Sequence, residues 1–337
     1  MRHVLDKLTR TLQLKQPAVL CGIVRNSGSA PRTSGARMVV VSDGSIAGSV
    51  GGGALEGACQ AKARELFRGP ATFAELDFQL TAASAAEEGM ACGGSATVLL
   101  QRLEPEMLPF IERLQKEYLG GQRPMLLTIL PKKEEPPRLL LLDSQQNPEV
   151  ATDLRLEITR KGRRAPFLLD HRGREIFVEP LVHPGTVHLA GAGHVALAVA
   201  ELAAFVDFEV VVMDDRREFA NPERYPKARE VRVLNSFAAC LTGLGPDDYV
   251  VIVTRGHLHD REVLAQALST NAGYIGMIGS RRKRAAVYES LRGEGVTDSE
   301  LARCHCPIGL AIDADTPEEI ALSIVAEMVQ VRAKMAT

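Results

Sequence analysis

Tryptophan is absent from the 337-residue chain, and aromatic residues make up only 4% of it. Platforms that stack nucleobases or sugar rings therefore have little to be built from. No sign of charge dominates: 40 Lys and Arg stand against 42 Asp and Glu, a formal net charge of −2. That balance carries no footprint for broad nucleic-acid binding, so no nucleic-acid partner is expected. No apolar run approaches the ~18–20 residues of a membrane helix, and no membrane partner is expected. The first residues, Met1, Arg2, His3, Val4, Leu5, Asp6 and Lys7, lack the apolar stretch of a secretory signal. Cysteine is sparse: Cys21, Cys59, Cys92, Cys240, Cys304 and Cys306 are scattered, with no Cys-x-x-Cys. These features predict reduced thiols and a cytoplasmic location.

What is present is ordinary globular material. Hydrophobic residues at 45% and charged residues at 24% exclude a disordered chain. The length suits about two domains by the prior of ~150 residues each. Two prolines and a glycine between Pro180 and Gly185 mark the boundary, giving domains over 1–182 and 186–334.

The second domain is the easier to read. Apolar strands are expected at 187–190, 209–213, 231–234, 249–253 and 274–278, alternating with helices over 197–205, 262–268 and 281–292. Continuous apolar strands alternating with helices predict a Rossmann-like, doubly wound parallel sheet. Thr316-Pro317-Glu318-Glu319 opens a last helix with a capping box and a proline at its first position. The first domain reads as mixed α+β. Helices are expected at 5–14, 54–67 and 108–118, and strands at 18–24, 38–41, 46–48, 96–101, 125–130 and 176–178. The fold class is thus α/β, with an N-terminal mixed α+β domain.

Several segments are equipped for chemistry. Gly191-Ala192-Gly193-His194-Val195-Ala196 follows a strand and opens a helix. In a dinucleotide fold the first glycine makes the turn, and the second lets phosphate approach the helix N-terminus. Asp214 lies 23 residues beyond Gly191, where an acid binds a ribose. Arg216 and Arg217 read as solvated loop charges, and Asp260 as a helix cap. His194 suits a neutral donor at the turn. Arg255, His257 and His259 follow a strand and suit an anion or a metal. Ser280 and Arg281 suit a phosphate at a helix start. In the first half, Gly51, Gly52 and Gly53 lead into a helix carrying Glu56, and such a turn forms an anion-binding nest. Cys92, Gly93 and Gly94 set a thiol beside open backbone.

These segments, taken in order, resemble the XdhC/CoxI family, accessory proteins of molybdenum hydroxylases such as xanthine dehydrogenase. The resemblance covers nearly the whole chain. It runs through Gly28-Ser29-Ala30-Pro31-Arg32, Gly35-Ala36-Arg37-Met38, Asp43-Gly44, Gly51-Gly52-Gly53 with Glu56, and Cys92-Gly93-Gly94. It continues through Gly191-Ala192-Gly193-His194-Val195, Thr254-Arg255-Gly256-His257, Gly279-Ser280-Arg281-Arg282-Lys283, Pro307-Ile308-Gly309-Leu310 and Thr316-Pro317-Glu318-Glu319-Ile320.

The resemblance implies a chaperone that binds molybdenum cofactor (molybdopterin), a pterin dithiolene with a phosphate arm. Such a protein protects the cofactor while its sulfido ligand is installed, then passes it to the apo-enzyme of a molybdenum hydroxylase. A cysteine desulfurase and a second copy of the chain, as a homodimer, are the other implied partners. The cofactor-binding candidates are Gly51, Gly52, Gly53, Glu56, Cys92, Gly93, Gly94, Gly191, Gly193, His194, Asp214, Arg255, His257, Ser280 and Arg281. Cys92 is the candidate thiolate for molybdenum, and no catalytic residue is assigned. The alternative is an NAD(P)-dependent oxidoreductase, or a domain holding another nucleotide. It rests on Gly191, Gly193 and Asp214, with His257 and Arg255 as proton donor and substrate clamp. An enzyme acting on the cofactor's phosphate ranks lowest, because its Mg²⁺ pair would be Asp214 and Asp215, whose side chains point apart on a strand.

Overall fold

A computed structural model describes residues 1–28, 35–80, 94–132, 135–143, 149–162, 165–181 and 183–336. The chain divides into two compact units, Met1–His183 and Pro184–Thr337. No helix among the described residues is long and apolar enough to cross a membrane.

The first unit is built on antiparallel pairing. Strands β1 (Ala18–Gly28), β2 (Arg37–Val41), β3 (Ile46–Gly48), β4 (Phe73–Leu80) and β5 (Gly94–Leu103) form one sheet in the order β3-β2-β1-β5-β4. Strands β6 (Met125–Ile129), β7 (Arg138–Leu142), β8 (Phe167–His171) and β9 (Arg174–Pro180) form a second in the order β7-β6-β9-β8. β1 is central and buried on both faces over Ala18–Val24, so its period-two alternation sorts Ala18 to Ile23 into two cores. Ala18 and Leu20 pack with the helices Arg2–Gln13 and Leu108–Leu119, whereas Val19, Cys21 and Ile23 pack with the helix Gly53–Arg68.

The second unit is a six-stranded parallel sheet. Its strands are β10 (Thr186–Ala190), β11 (Glu209–Asp214), β12 (Glu230–Val233), β13 (Asp248–Ile252), β14 (Tyr274–Met277) and β15 (Cys304–His305), in the order β12-β11-β10-β13-β14-β15. Every neighbouring pair is parallel. Val187, Leu189, Val210, Val212 and Val251 face the helices His194–Phe205 and Pro317–Ala336. Ala190, Val211, Met213, Val250 and Ile252 face His257–Leu268 and Arg281–Gly293. Both faces are covered, which is why these strands read as unbroken apolar runs. The expected capping box is formed: the Asp315 and Thr316 N–H groups donate to Glu319 Oε2 at 2.9 and 3.1 Å, and the Glu319 N–H donates to Thr316 Oγ1 at 3.2 Å.

The chain leaves β10 toward β11 on one side and returns to β13 on the other. The crevice above the carboxyl ends of β10 and β13 is therefore the switch point where open α/β sheets bind ligands.

Candidate functional site at the carboxyl edge of the parallel sheet

Three loops meet at that switch point. Gly191 ends β10 with φ +110°, and a Cβ there would stand 2.4 Å from the Val253 carbonyl oxygen. Only glycine fits so close to the neighbouring backbone. Gly193 caps the helix His194–Phe205 in an extended conformation, and His194 is its first residue and is exposed. The N–H groups of Gly193, His194 and Val195 take no acceptor among the described residues. They form the open positive end of the helix.

Asp214 is not the free ribose acceptor that its spacing predicts. Its Oδ1 accepts the Arg216 backbone N–H at 3.0 Å and Arg216 Nε at 2.8 Å. Its Oδ2 accepts the Ala192 N–H at 2.7 Å and Arg216 Nη2 at 2.9 Å. A carboxylate offers about four acceptor positions, and all four are filled. Arg216 is likewise not a solvated loop charge: it grips Asp214 and stacks 3.9 Å from the Phe219 ring centroid. The acid thus staples the turn to β11, and the nicotinamide-oxidoreductase reading loses its ribose-binding residue.

Burial raises the Asp214 carboxyl, but Arg216 and the Ala192 N–H outweigh it and bring the pKa down to about 2. A depressed carboxyl pKa stabilises the fold above the ordinary value of 3.8 and ceases to do so as pH falls through about 2. We expect D214N to lower stability by about 1–2 kcal/mol at pH 7, after allowing for solvent screening. The difference from the native protein should shrink between about pH 4 and pH 2, as read by urea midpoints across that range. A constant difference over the window would mean that the Asp214 charge does not stabilise the turn.

On the β13 side, Thr254 Oγ1 donates to Asp260 Oδ1 at 2.6 Å, and Lys283 pairs with the other oxygen. Asp260 is 0% exposed and lies inside the first turn of His257–Leu268, so it is not the cap. Gly256 takes that place because its φ of +102° suits glycine. Arg255 is exposed and reaches Asp215 at 3.4 Å. The side chain of His257 lies outside the described residues. His259 faces Glu262 at 3.7 Å and the Phe237 ring at 4.9 Å. Among the described residues no group of three His, Cys, Asp or Glu could hold a metal ion. On the β14 side, Ser280 caps Arg281–Gly293 by accepting the Lys283 N–H at 3.2 Å, and Arg281 is exposed beside it.

In the first unit, Gly51, Gly52 and Gly53 have φ of +132°, +78° and +52°. The nest they make already holds an anion. Glu56 Oε1 accepts the Gly52 N–H at 3.0 Å and Ser49 Oγ at 2.6 Å. The expected anion site is in this conformation closed by the chain's own carboxylate. Gly94 opens β5 opposite Gly28 and Leu80. Cys92, Gly93 and residues 29–32 lie outside the described residues. Cys304 and Cys306 are buried, and burial pushes Cys304 up to about 12 and Cys306 upward, so neither is a poised thiolate.

The structure therefore gathers Gly191, Gly193, His194, Asp214 and Arg255 at one switch point and sets Ser280 and Arg281 after the adjacent strand. Gly51, Gly52, Gly53, Glu56 and Gly94 belong to the other unit. Arg224 and Tyr225 were not among the candidates, because they sit in an aperiodic loop. Lys283 lies in the cationic run read as suiting a phosphate, and it pairs with the buried Asp260 instead.

Comparison with known proteins agrees with this architecture. Residues 187–328 match the family model for the XdhC Rossmann domain, and residues 11–77 match that of the XdhC and CoxI family. YqeB of Escherichia coli K12 is 28% identical over 94% of this chain, which spans only 44% of that protein's length. A protein of Bacillus subtilis 168 named as a probable xanthine dehydrogenase subunit is 26% identical over 98% of this chain and 97% of its own. The molybdenum cofactor insertion chaperone PaoD of Escherichia coli K12 is 24% identical over 98% of this chain and 88% of its own. A crystal structure described as a xanthine dehydrogenase from Bacillus halodurans superposes with a TM-score of 0.79 at 25% identity, covering 98% of this chain and 96% of that one. The two matched segments together cover more than half of the sequence, and the chain belongs to the XdhC and CoxI family.

Proposed function

We propose that this protein is a maturation factor that binds molybdenum cofactor as cargo and delivers it to a molybdenum hydroxylase of the xanthine dehydrogenase type. The observation that most supports this reading is the end-to-end similarity to PaoD, a molybdenum cofactor insertion chaperone, over 98% of this chain. The residue chemistry is compatible. Molybdenum is a soft metal held by dithiolene sulfurs, which suits a thiolate at Cys92. The phosphate arm suits a helix N-terminus with open N–H groups. Glu56 would leave the 51–53 nest when a stronger anion enters it.

In this reading the protein is a carrier with no turnover of its own. A cysteine desulfurase supplies the sulfur for the sulfido ligand while the cofactor is held. The carrier works in the cytoplasm as a homodimer, and the apo-hydroxylase is its acceptor.

The test is anaerobic incubation with free molybdenum cofactor, desalting, and assay of both molybdenum and pterin. About one equivalent of each is expected, and C92S should retain at least about tenfold less molybdenum with an unchanged melting temperature. A folded sample that keeps neither metal nor pterin would refute the carrier role. Unchanged metal content in C92S would remove Cys92 from the site.

A further inference from the structure

Two cysteines meet inside the first unit. Cys21 lies on the central strand β1, and Cys59 lies on the helix Gly53–Arg68 that covers one face of that sheet. Both are fully buried in one apolar cluster, with Val19, Ile23, Leu55 and Ala63. They are the two cysteines of that cluster. The Cys21 thiol donates a hydrogen bond to the Cys59 sulfur, which favours the Cys59 thiolate and lowers its pKa. The same bond, with burial, holds the proton on Cys21 and raises its pKa. Burial pushes Cys240 up to about 11 and Cys304 up to about 12, and it raises Cys306 as well. Among the described cysteines, Cys59 is thus the one whose thiolate is favoured, and its neighbour is a second thiol.

The helix is weakest where Cys59 sits. Its first two turns contain Gly53 and Gly57, and its cap, Gly52, makes no side-chain hydrogen bond. A Cβ at Gly57 would meet nothing within 4 Å, so packing does not require glycine there. Glycine inside a helix lowers its stability. Local opening of these turns is therefore the route by which a small solute reaches the two sulfurs.

We infer that Cys21 and Cys59 are a peroxide-responsive dithiol that closes to a disulfide and pins the start of this helix to β1. The Cys59 thiolate attacks one peroxide oxygen, the O–O bond breaks, and the other oxygen leaves as hydroxide. The proton that Cys59 gave up turns that hydroxide into water. Cys59 is then a sulfenic acid. The Cys21 sulfur attacks the Cys59 sulfur, the S–O bond breaks, and the departing hydroxide takes the Cys21 proton. The thiols lose two electrons, the peroxide gains them, and two waters form. Glu56, three residues before Cys59, is held in the 51–53 nest. The cross-link therefore also fastens the carboxylate that closes the nest. This chemistry needs neither the molybdenum cofactor nor the carrier function.

The experiment exposes the reduced full chain to hydrogen peroxide under native conditions. The chain is then denatured, its remaining thiols are alkylated, and its peptides are mapped without reductant. The expected product is a linked pair of peptides holding Cys21 and Cys59, about 2 Da lighter than their sum, with Cys240, Cys304 and Cys306 alkylated. C21A and C59A should each abolish the link, and C21A should leave Cys59 as a sulfenic acid that dimedone traps. Amide exchange over residues 53–62 should slow at least about tenfold in the linked form. G57A keeps both thiols but firms the helix, and should slow the oxidation about threefold. Alkylation of both Cys21 and Cys59 after peroxide, or pairing of either with another cysteine, overturns the proposal. So does a link that leaves the amide exchange unchanged. An unchanged rate in G57A would refute the route through the first turns. The native protein alone decides the pairing if an alanine variant fails to fold.

Discussion

Replacing Glu179 by leucine is expected to destabilise the first unit by about 3–5 kcal/mol, and adding R37M is expected to recover most of that loss. Arg37 lies on β2 and Glu179 on β9, so one ion pair ties the five-stranded sheet to the four-stranded one. Their side chains are only 5% and 2% exposed. Arg37 Nε donates to Glu179 Oε1 at 3.0 Å, and Nη2 meets the second oxygen, so the fork is bidentate. Gly22 makes room for it: a Cβ there would stand 2.6 Å from the guanidinium. Removing one charge leaves the other buried without compensation, which is the large effect. Removing both substitutes apolar contact for an ion pair whose desolvation already offsets much of its attraction. Urea titration followed by far-ultraviolet circular dichroism measures both. A loss under about 1 kcal/mol for E179L would mean that water reaches Arg37 and relieves it.

How much of this was legible depended on which interactions are local. The parallel sheet was, because strands buried on both faces leave continuous apolar runs such as Tyr249-Val250-Val251-Ile252. In the first unit β4 carries a plain alternation, with Ala74, Leu76 and Phe78 packed inward and Glu75 and Asp77 between them, yet the expected strands omitted it. The helix Thr152–Lys161 buries only Leu154 and Ile158, too few to show a period. The edge strand β15 has two residues and no pattern to read. At the site, Gly191 and Gly256 showed because the positive φ each adopts favours glycine. The partners did not show. Arg37 and Glu179 are 142 residues apart, Lys283 finds Asp260 from another helix, and Arg216 takes the acid that the fingerprint assigns to a ribose. Charge pairing across elements leaves no periodic trace.

The two glycines of the turn should separate fold from function. G191A is expected to cost about 3 kcal/mol or more. Its φ of +110° is strained for alanine, and its Cβ would stand 2.4 Å from the Val253 oxygen, 2.7 Å from the Val253 carbonyl carbon and 3.0 Å from the Thr254 nitrogen, none of which is a flexible side-chain end. Relief requires moving β10 and β13 apart at the switch point. Gly193 has φ −75° and ψ −166°, extended backbone that any residue adopts, and a Cβ there meets nothing within 4 Å. G193V is therefore expected to change stability by less than about 1 kcal/mol. The space the valine fills is the approach to the N–H groups of His194 and Val195, so a phosphate could no longer reach the helix end. Inorganic phosphate binding, followed by ³¹P line broadening, should weaken at least about tenfold in G193V at an unchanged melting temperature. If G193V binds phosphate as the native protein does, the turn serves only to pack β10 against β13. If it unfolds instead, the open space beside Gly193 is filled in solution by part of the chain itself.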